Sequence, residues 1–301
     1  MGHDHNHGDM KGKKLGISIL LNIFITLAQA IGAMVSGSLS LLSDALHNFS
    51  DVIALIISYI ADKLTQKKFT AQQTFGYKRA EVIAALINAA SLIAIAIMIS
   101  KEAFMRFNEP AEINSLIVII LAGMSILVNG GSVLLIKKEA ENNMNMRSAY
   151  LHLMSDLVSS VAVLIGGLCM SYFQVYWIDS ILSLAIALYL IYSSFGLLLK
   201  TLRVLMQFTP ANIDSTEIEK ALLKSTAIEN IHHLHVWQLN DKDIHLEAHL
   251  DFKEDIKLSQ VSKTLQEVSE VLRSQFHITH AILQPEFGVD DSKSLIIDER
   301  G

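Results

Sequence analysis

Two histidine–aspartate pairs in long apolar runs are the residues of this sequence best suited to chemistry. His47 and Asp51 are four residues apart, and His152 and Asp156 repeat that spacing inside the same pattern, L-H-x-x-S-D. Residues four apart lie on one face of a helix, one turn above the other. Two imidazoles and two carboxylates on two packed helices would form a four-ligand site that suits a tetrahedral divalent ion such as zinc.

Six apolar segments would position these residues, and each is close to the ~20 residues that a helix needs to cross a bilayer. The predicted spans are 15–36, 39–61, 82–104, 115–136, 148–173 and 177–199. The first pair falls in the second span and the other pair in the fifth. The sequence therefore predicts an α-helical membrane domain over residues 15–208, with its candidate site between two of the six spans.

Other polar residues of these spans are expected to form hydrogen bonds between helices, as polar side chains in membrane bundles do. They are Asn22, Gln29, Asn88, Asn129 and Asp179. Asp44 lies one turn before His47, so we expect it to orient that imidazole.

Charge predicts the orientation of the chain in the membrane. Lys and Arg concentrate before the first span, in the second and fourth loops and after the sixth span, and positive loops stay on the cytoplasmic side. We therefore expect a multi-pass protein of the cell membrane with both termini in the cytoplasm. The first 14 residues lack the features of a cleaved signal peptide. The single cysteine, Cys169, cannot form an internal disulfide, so nothing indicates an oxidising compartment.

The last third of the chain has a different composition. Residues 1–208 contain 15 Lys/Arg and 13 Asp/Glu, a net charge of +2, whereas residues 209–301 contain 9 and 17, a net charge of −8. Periodicity in residues 209–287 predicts the order α-β-β-α-β, a small α+β domain with helices on one face of a sheet.

Residues 288–301 are expected to be a disordered tail. Residues 1–14 are expected to be a cytoplasmic tail whose His3, His5 and His7 capture metal ions weakly.

The motifs together resemble the cation diffusion facilitator family of zinc, cadmium and cobalt exporters. The run Ser38–Asp51 is similar to that family's second-helix signature, the two H-x-x-x-D motifs match its transport site, and Leu234–Trp237 reads L-H-V-W as in its cytoplasmic domain. The resemblance covers residues 15 to about 287. It implies six spans, a ferredoxin-like cytoplasmic domain and a homodimer, and it assigns His47, Asp51, His152 and Asp156 to the transported metal.

The resemblance also implies a cytoplasmic metal site at His232, His249 and Glu286, with His235 and Gln284 as nearby candidates. The remaining histidines of this domain are expected at the surface: His233, His245, His277 and His280.

The sequence departs from the family in two places. The loop stretch 74–81 lacks the histidines that many relatives carry, and 138–147 lacks the His-rich insert of animal relatives.

The predicted function is export of Zn²⁺, together with Cd²⁺ or Co²⁺, in exchange for protons. Zinc would be the substrate and a regulatory ligand, with the bilayer and a second copy as partners and neither an organic cofactor nor nucleic acid involved. An intramembrane zinc enzyme is disfavoured, because four protein ligands leave no position for water and no H-E-x-x-H motif occurs. A membrane metal sensor and a manganese or iron transporter remain as alternatives.

Overall fold

The computed structural model describes residues 7–65, 69–140 and 144–296. The helices and strands, in chain order, are α1 (His7–Ser36), α2 (Leu39–Thr65), α3 (Ala80–Asn108), α4 (Ser115–Ala140), α5 (Met144–Phe173), α6 (Trp177–Leu205), α7 (Ser215–Leu222), β1 (Ile228–Gln238), β2 (Ile244–Phe252), α8 (Leu258–Phe276) and β3 (His280–Glu286). They form two compact units. The membrane unit comprises the described residues up to Tyr59 together with Ile87–Leu197, and the soluble unit comprises Ile60–Leu86 together with the chain from Leu198 onward.

Each predicted span lies within one of the first six helices. Within the described residues, four helices are long and apolar enough to cross a membrane: Ala80–Asn108, Ser115–Lys137, Tyr150–Phe173 and Trp177–Leu205. Helix α1 adds a shorter apolar stretch, Leu20–Ser36. Serines, aspartates and the residues of the first motif interrupt the apolar sequence of helix α2. The chain therefore has a helical membrane domain whose second helix carries several polar residues.

Small residues let the membrane helices approach closely. A Cβ atom added to Gly32 of α1 would lie 1.9 Å from Cδ1 of Leu121 in α4, and one added to Gly166 of α5 would lie 2.3 Å from Cδ1 of Leu182 in α6. A larger side chain at either glycine would require the facing leucine side chain to move. Such contacts between small residues and neighbouring helices are typical of membrane bundles.

Asp179, near the start of α6, holds the start of α2. Its carboxylate accepts hydrogen bonds from Ser38 Oγ at 2.6 Å, from the Leu39 amide at 2.7 Å and from the Ser40 amide at 3.3 Å, and also from Ser40 Oγ. First-turn amides of a helix lack partners within the helix, and a carboxylate there also complements the helix dipole. Asp179 therefore caps α2 from another helix, which confirms the interhelical hydrogen bond predicted for it.

The soluble unit has the predicted order of helices and strands. Its three-stranded sheet has the order β1-β2-β3, with β1 and β2 antiparallel and β2 and β3 parallel. Asp214 caps α7 by accepting a 2.9 Å hydrogen bond from the Thr216 amide. Apolar residues of α7, α8 and the sheet form one buried core that includes Ile218, Leu246 and Leu272.

Both predicted tails differ from the structure. Helix α1 begins at His7, because Met10 and the neighbouring lysines are good helix formers, so residues 7–14 are helical; His3 and His5 lie outside the described residues. Residues 290–296, here called the C-terminal strap, lie along β1 instead of being disordered. The amides of His233 and Leu234 donate to the carbonyls of Ser294 (3.4 Å) and Leu295 (2.8 Å).

Candidate functional site

The four motif residues of α2 and α5 converge in the membrane unit. Within each helix, His47 Nδ1 lies 3.8 Å from Asp51 Oδ2, and His152 Nε2 lies 3.7 Å from Asp156 Oδ2. Between the helices, His47 Nε2 lies 3.6 Å from Asp156 Oδ1, and His152 Nε2 lies 3.4 Å from Asp51 Oδ2. The structure thus brings the four side chains of the two motifs together, with Asp51 and Asp156 at opposite nitrogens of the His47 ring.

Three of the four carboxylate oxygens of this cluster have no hydrogen-bond partner among the described residues. Asp51 Oδ2 and both oxygens of Asp156 are buried without a hydrogen-bond partner in the described residues, and the Asp156 side chain is 0% exposed. Buried carboxylate oxygens are costly unless they are paired or bind a metal. The side chains of Asp51 and His152 are 32% and 42% exposed, so these two residues lie at the surface of the single chain.

Asp44 joins three helices around the cluster. Its carboxylate accepts a 2.8 Å hydrogen bond from Gln29 Nε2 of α1 and a 2.6 Å hydrogen bond from Ser159 Oγ of α5. No hydrogen bond joins Asp44 to His47 among the described residues, so the expectation that Asp44 orients this imidazole is wrong. The periodicity gave the correct helix face, but partners from α1 and α5 take up both carboxylate oxygens.

Tyr189 of α6 also approaches the cluster, which sequence reasoning missed. Its ring centroid lies 6.3 Å from that of His47, and its hydroxyl lies 3.2 Å from Ser155 Oγ. No spacing motif links Tyr189 to the two pairs, so only the packing of α6 reveals it.

A second cluster lies on the sheet of the soluble unit. His232 of β1 is the register partner of His249 of β2, and Glu286 ends the adjacent strand β3. His232 Nε2 lies 3.4 Å from Glu286 Oε2, and His249 Nδ1 lies 2.8 Å from Glu286 Oε1. Asp291 joins these residues, and one ligand atom from each of the four lies within 4.8 Å of the others. The sequence analysis missed Asp291, which it placed in a disordered tail.

Side chains around the second cluster hold its ligands in place. Asp251 Oδ2 lies 3.3 Å from His232 Nδ1, and Gln284 Nε2 donates a 2.7 Å hydrogen bond to Glu286 Oε1. Carboxylates and amides placed in this way fix the orientation of metal-binding groups. Gln284 therefore contacts a candidate ligand, as its position near the site suggested.

Lys293 adds a positive charge beside the second cluster. Its ammonium lies 2.6 Å from Asp291 Oδ1 and 2.9 Å from Asp251 Oδ1. The hydrogen bond with Asp291, followed by that with Asp251, raises the pKa of Lys293 to about 12. The same hydrogen bond lowers the pKa of Asp291, so both groups are charged at neutral pH.

The other histidines of the soluble unit differ in burial. His277 and His280 are exposed as predicted, and the nearby candidate His235 is also exposed. His233 is half-buried, with its ring centroid 4.8 Å from that of His249.

His245 is buried at 5% exposure, so its predicted surface position is wrong. Its ring stacks on Trp237 of β1 and contacts Phe75 of the α2–α3 loop. Burial, followed by the neighbouring His280 and Lys78, lowers the pKa of His245.

Comparison with known proteins places both units in one family. Residues 15–206 match the model of the cation efflux transmembrane domain, and residues 210–287 match that of the cytoplasmic domain of cation efflux proteins. The chain is 33% identical to the "Cadmium, cobalt and zinc/H(+)-K(+) antiporter" of Bacillus velezensis over 99% of this chain and 96% of that protein. It is 31% identical to the "Metal cation efflux system protein CzcD" of Cupriavidus metallidurans (94% and 89%) and 29% identical to the "Zinc transporter ZitB" of Escherichia coli (95% and 93%).

Apolar helices around a cluster of imidazoles and carboxylates, together with the family and these relatives, define an integral membrane protein that exports divalent metal cations. The chain belongs to the cation diffusion facilitator family, as the motifs predicted. Its family and the relatives named above are transporters and not enzymes.

Proposed function

We propose that this protein exports Zn²⁺, together with Cd²⁺ and Co²⁺, in exchange for protons, and that His47, Asp51, His152 and Asp156 bind the transported ion. One observation carries the proposal: the unpartnered oxygens of the two aspartates face imidazole nitrogens at 3.4–3.8 Å. Two nitrogens and two oxygens suit zinc, whereas manganese and iron favour a set richer in oxygen. The names of the relatives support the same group of metals.

Proton exchange follows from the chemistry of the four ligands. Zinc binds neutral imidazole and ionised carboxylate, so metal and protons compete for the same atoms. An ordinary histidine titrates at ~6.5, close to physiological pH, so a modest change in proton activity can reprotonate it. Protonation of His47 and His152 on the far side of the membrane would release the ion. The bound protons would then be carried back as the site turns inward.

We infer that all six long helices cross the membrane and that both termini are cytoplasmic. The polar residues of α2 explain why it is less apolar than a typical span, since Asp44, Asn48 and Ser50 are buried against other helices rather than exposed to lipid. The positive loops support the orientation.

The soluble unit is proposed to be a ferredoxin-like cytoplasmic domain that regulates transport as part of a homodimer. Its candidate zinc ligands are His232, His249 and Glu286, which come from three separate strands, so bound zinc would stabilise the domain. The net charge of −8 in residues 209–301 would repel a second copy, and bound cations would reduce that repulsion. The N-terminal histidines are proposed to raise the local metal concentration.

Flux measurements in proteoliposomes test the transport proposal. Zn²⁺, Cd²⁺, Co²⁺ and Mn²⁺ would be compared with and without a pH gradient. We expect rapid transport of the first three, slow transport of Mn²⁺, and acceleration by a gradient that places protons on the side receiving the metal. Metal binding without flux would indicate a sensor. Zinc flux that is insensitive to the gradient would contradict proton exchange.

A further inference from the structure

The C-terminal strap is attached to an irregular part of the sheet edge. Strand β1 lies at one side of the sheet, and its pairing with β2 shifts register between His232 and His235. His233, inside this bulge, has a φ of 53°, a conformation that is uncommon for residues other than glycine. The bulge directs the amides of His233 and Leu234 to the strap carbonyls, and Leu295 packs against the core of the unit.

The strap places Asp291 beside His232 in the second cluster. Asp291 Oδ2 lies 3.2 Å from His232 Nε2, the same nitrogen that faces Glu286 Oε2. The His232 side chain is 0% exposed. Glu286 Oε2 is buried without a hydrogen-bond partner in the described parts of the chain, and His249 Nδ1 faces the other oxygen of Glu286 at 2.8 Å. Two carboxylate oxygens and two ring nitrogens therefore face one another, which is a complete ligand set for a tetrahedral ion.

Lys293 gives the strap a second role at this cluster. Through its ammonium it joins Asp291 to Asp251, and the other oxygen of Asp251 faces His232 Nδ1. With a metal bound, a hydrogen bond from Nδ1–H to Asp251 Oδ2, 3.3 Å away, would leave the Nε2 lone pair free for the ion, as is usual for metal-binding histidines. The strap thus supplies one candidate ligand and also supports the partner that orients another.

We propose that the C-terminal strap closes the cytoplasmic metal site, with Asp291 as its fourth ligand, and that Zn²⁺ binding fixes the strap on β1. This inference rests on the cytoplasmic site described under the proposed function. Three ligands from the sheet would leave one position to water, whereas Asp291 completes a closed shell, which is typical of structural zinc sites.

The test uses the full chain in detergent, lacking residues 2–9 and carrying Asp51→Ala and Asp156→Ala, so that zinc reports on the cytoplasmic site alone. Zinc affinity is measured by competition with a chelator. Hydrogen exchange of residues 289–296 is followed with and without Zn²⁺. In this parent protein we expect one tightly bound zinc per chain and slower exchange of the strap when zinc is present.

Asp291→Asn should weaken zinc binding by at least the roughly 10–100-fold that is typical for the loss of a group supporting a metal site. It should also abolish the zinc-dependent protection of the strap. Asp290→Asn is the matched control, because Asp290 is the adjacent, exposed aspartate, and it should change neither result. Asp291→His should restore much of the affinity by supplying a different ligand atom.

Two results would overturn the inference, and they can be distinguished. If Asp291→Asn binds zinc as tightly as the parent and the strap exchanges alike with and without zinc, the strap is only a structural cover and the three-residue site stands. If the parent protein itself binds no zinc, the cytoplasmic site of the proposed function is absent and the strap inference fails with it.

Discussion

The two clusters of this protein use the same kinds of side chain in opposite ways. In the membrane unit, Asp156 faces two imidazoles, and its oxygens have no other partner in the described residues. In the soluble unit, Glu286 also accepts a hydrogen bond from Gln284, and Asp291 pairs with Lys293. Extra partners hold a ligand where it is, whereas a carboxylate without them can rearrange when the ion leaves. The cluster of the membrane unit therefore suits an ion that binds and leaves during transport, and the cluster of the soluble unit suits an ion that stays bound.

The helices that carry the membrane cluster can also move more easily than the strands that carry the cluster of the soluble unit. The candidate ligands of the membrane unit come from α2 and α5, and the helices of a bundle can rotate or shift as rigid bodies. Three candidate ligands of the soluble unit come from strands whose register is fixed by backbone hydrogen bonds, with His232 directly opposite His249. A change between two states would therefore alter the membrane cluster much more than the soluble one.

Removing one carboxylate from the membrane cluster should have the largest effect. Asp156→Asn keeps the side-chain volume but loses the charge, so we expect zinc flux to fall by roughly 100-fold or more, the upper end of losses seen at metal sites. The measurement is Zn²⁺ uptake into proteoliposomes at matched protein content. Glu109→Gln, at an exposed carboxylate after α3, is the control and should transport normally. Near-normal flux in Asp156→Asn would remove this cluster from the transport pathway.

A pair of substitutions in β2 should separate a metal-binding histidine from a packing one. In full-length protein at a zinc concentration of 100 times Kd, binding should stabilise the soluble unit by about 2.7 kcal/mol. His249→Phe should abolish this zinc-dependent rise in Tm, whereas His245→Phe should retain it because His245 packs between rings beside Lys78. Equal zinc responses in the two variants would contradict the distinction between the clusters.

Helix α2, which carries half of the membrane cluster, is capped by Asp179 of α6. A substitution of Asp179 tests whether the cluster depends on this cap. Asp179→Asn retains a hydrogen-bond acceptor but loses the charge that caps α2, so we expect a loss of about 2 kcal/mol, the middle of the range for hydrogen bonds to charged groups. Lower Tm and slower zinc flux together would be the expected result. If the variant keeps both values of the unmodified protein, α2 is held by its other contacts.

The smallest expected change concerns metal choice. His47→Asp replaces a nitrogen ligand by oxygen, which favours manganese relative to zinc. We expect the Zn²⁺/Mn²⁺ flux ratio to fall about tenfold, equivalent to ~1.4 kcal/mol in differential affinity. His277→Asp, at an exposed histidine of the soluble unit, should leave the ratio unchanged. An unaltered ratio in the His47 variant would count against direct contact between His47 and the ion.

The sequence alone predicts the cluster of the membrane unit better than the cluster of the soluble unit, for a physical reason. A spacing of four residues is visible along a helix, and both pairs lie where that spacing placed them. Asp291 has no comparable signal, because it reaches the site only when the strap follows the bulge at His233. In the alternating pattern of β2, His245 occupies a position of the polar, outward set. It is nevertheless buried, because Phe75 and Trp237 cover it.

The cap on α2 has a consequence for the order in which the protein is made. Ser38 and Ser40 meet Asp179 only after a further 139–141 residues of the chain have been synthesised. Until α6 emerges from the ribosome, the polar groups in the first turn of α2 have to form hydrogen bonds with water or with another protein. Helix α2, early in the chain, therefore reaches its final position late, and a nascent chain truncated before α6 would keep the beginning of α2 accessible to water-soluble labelling reagents.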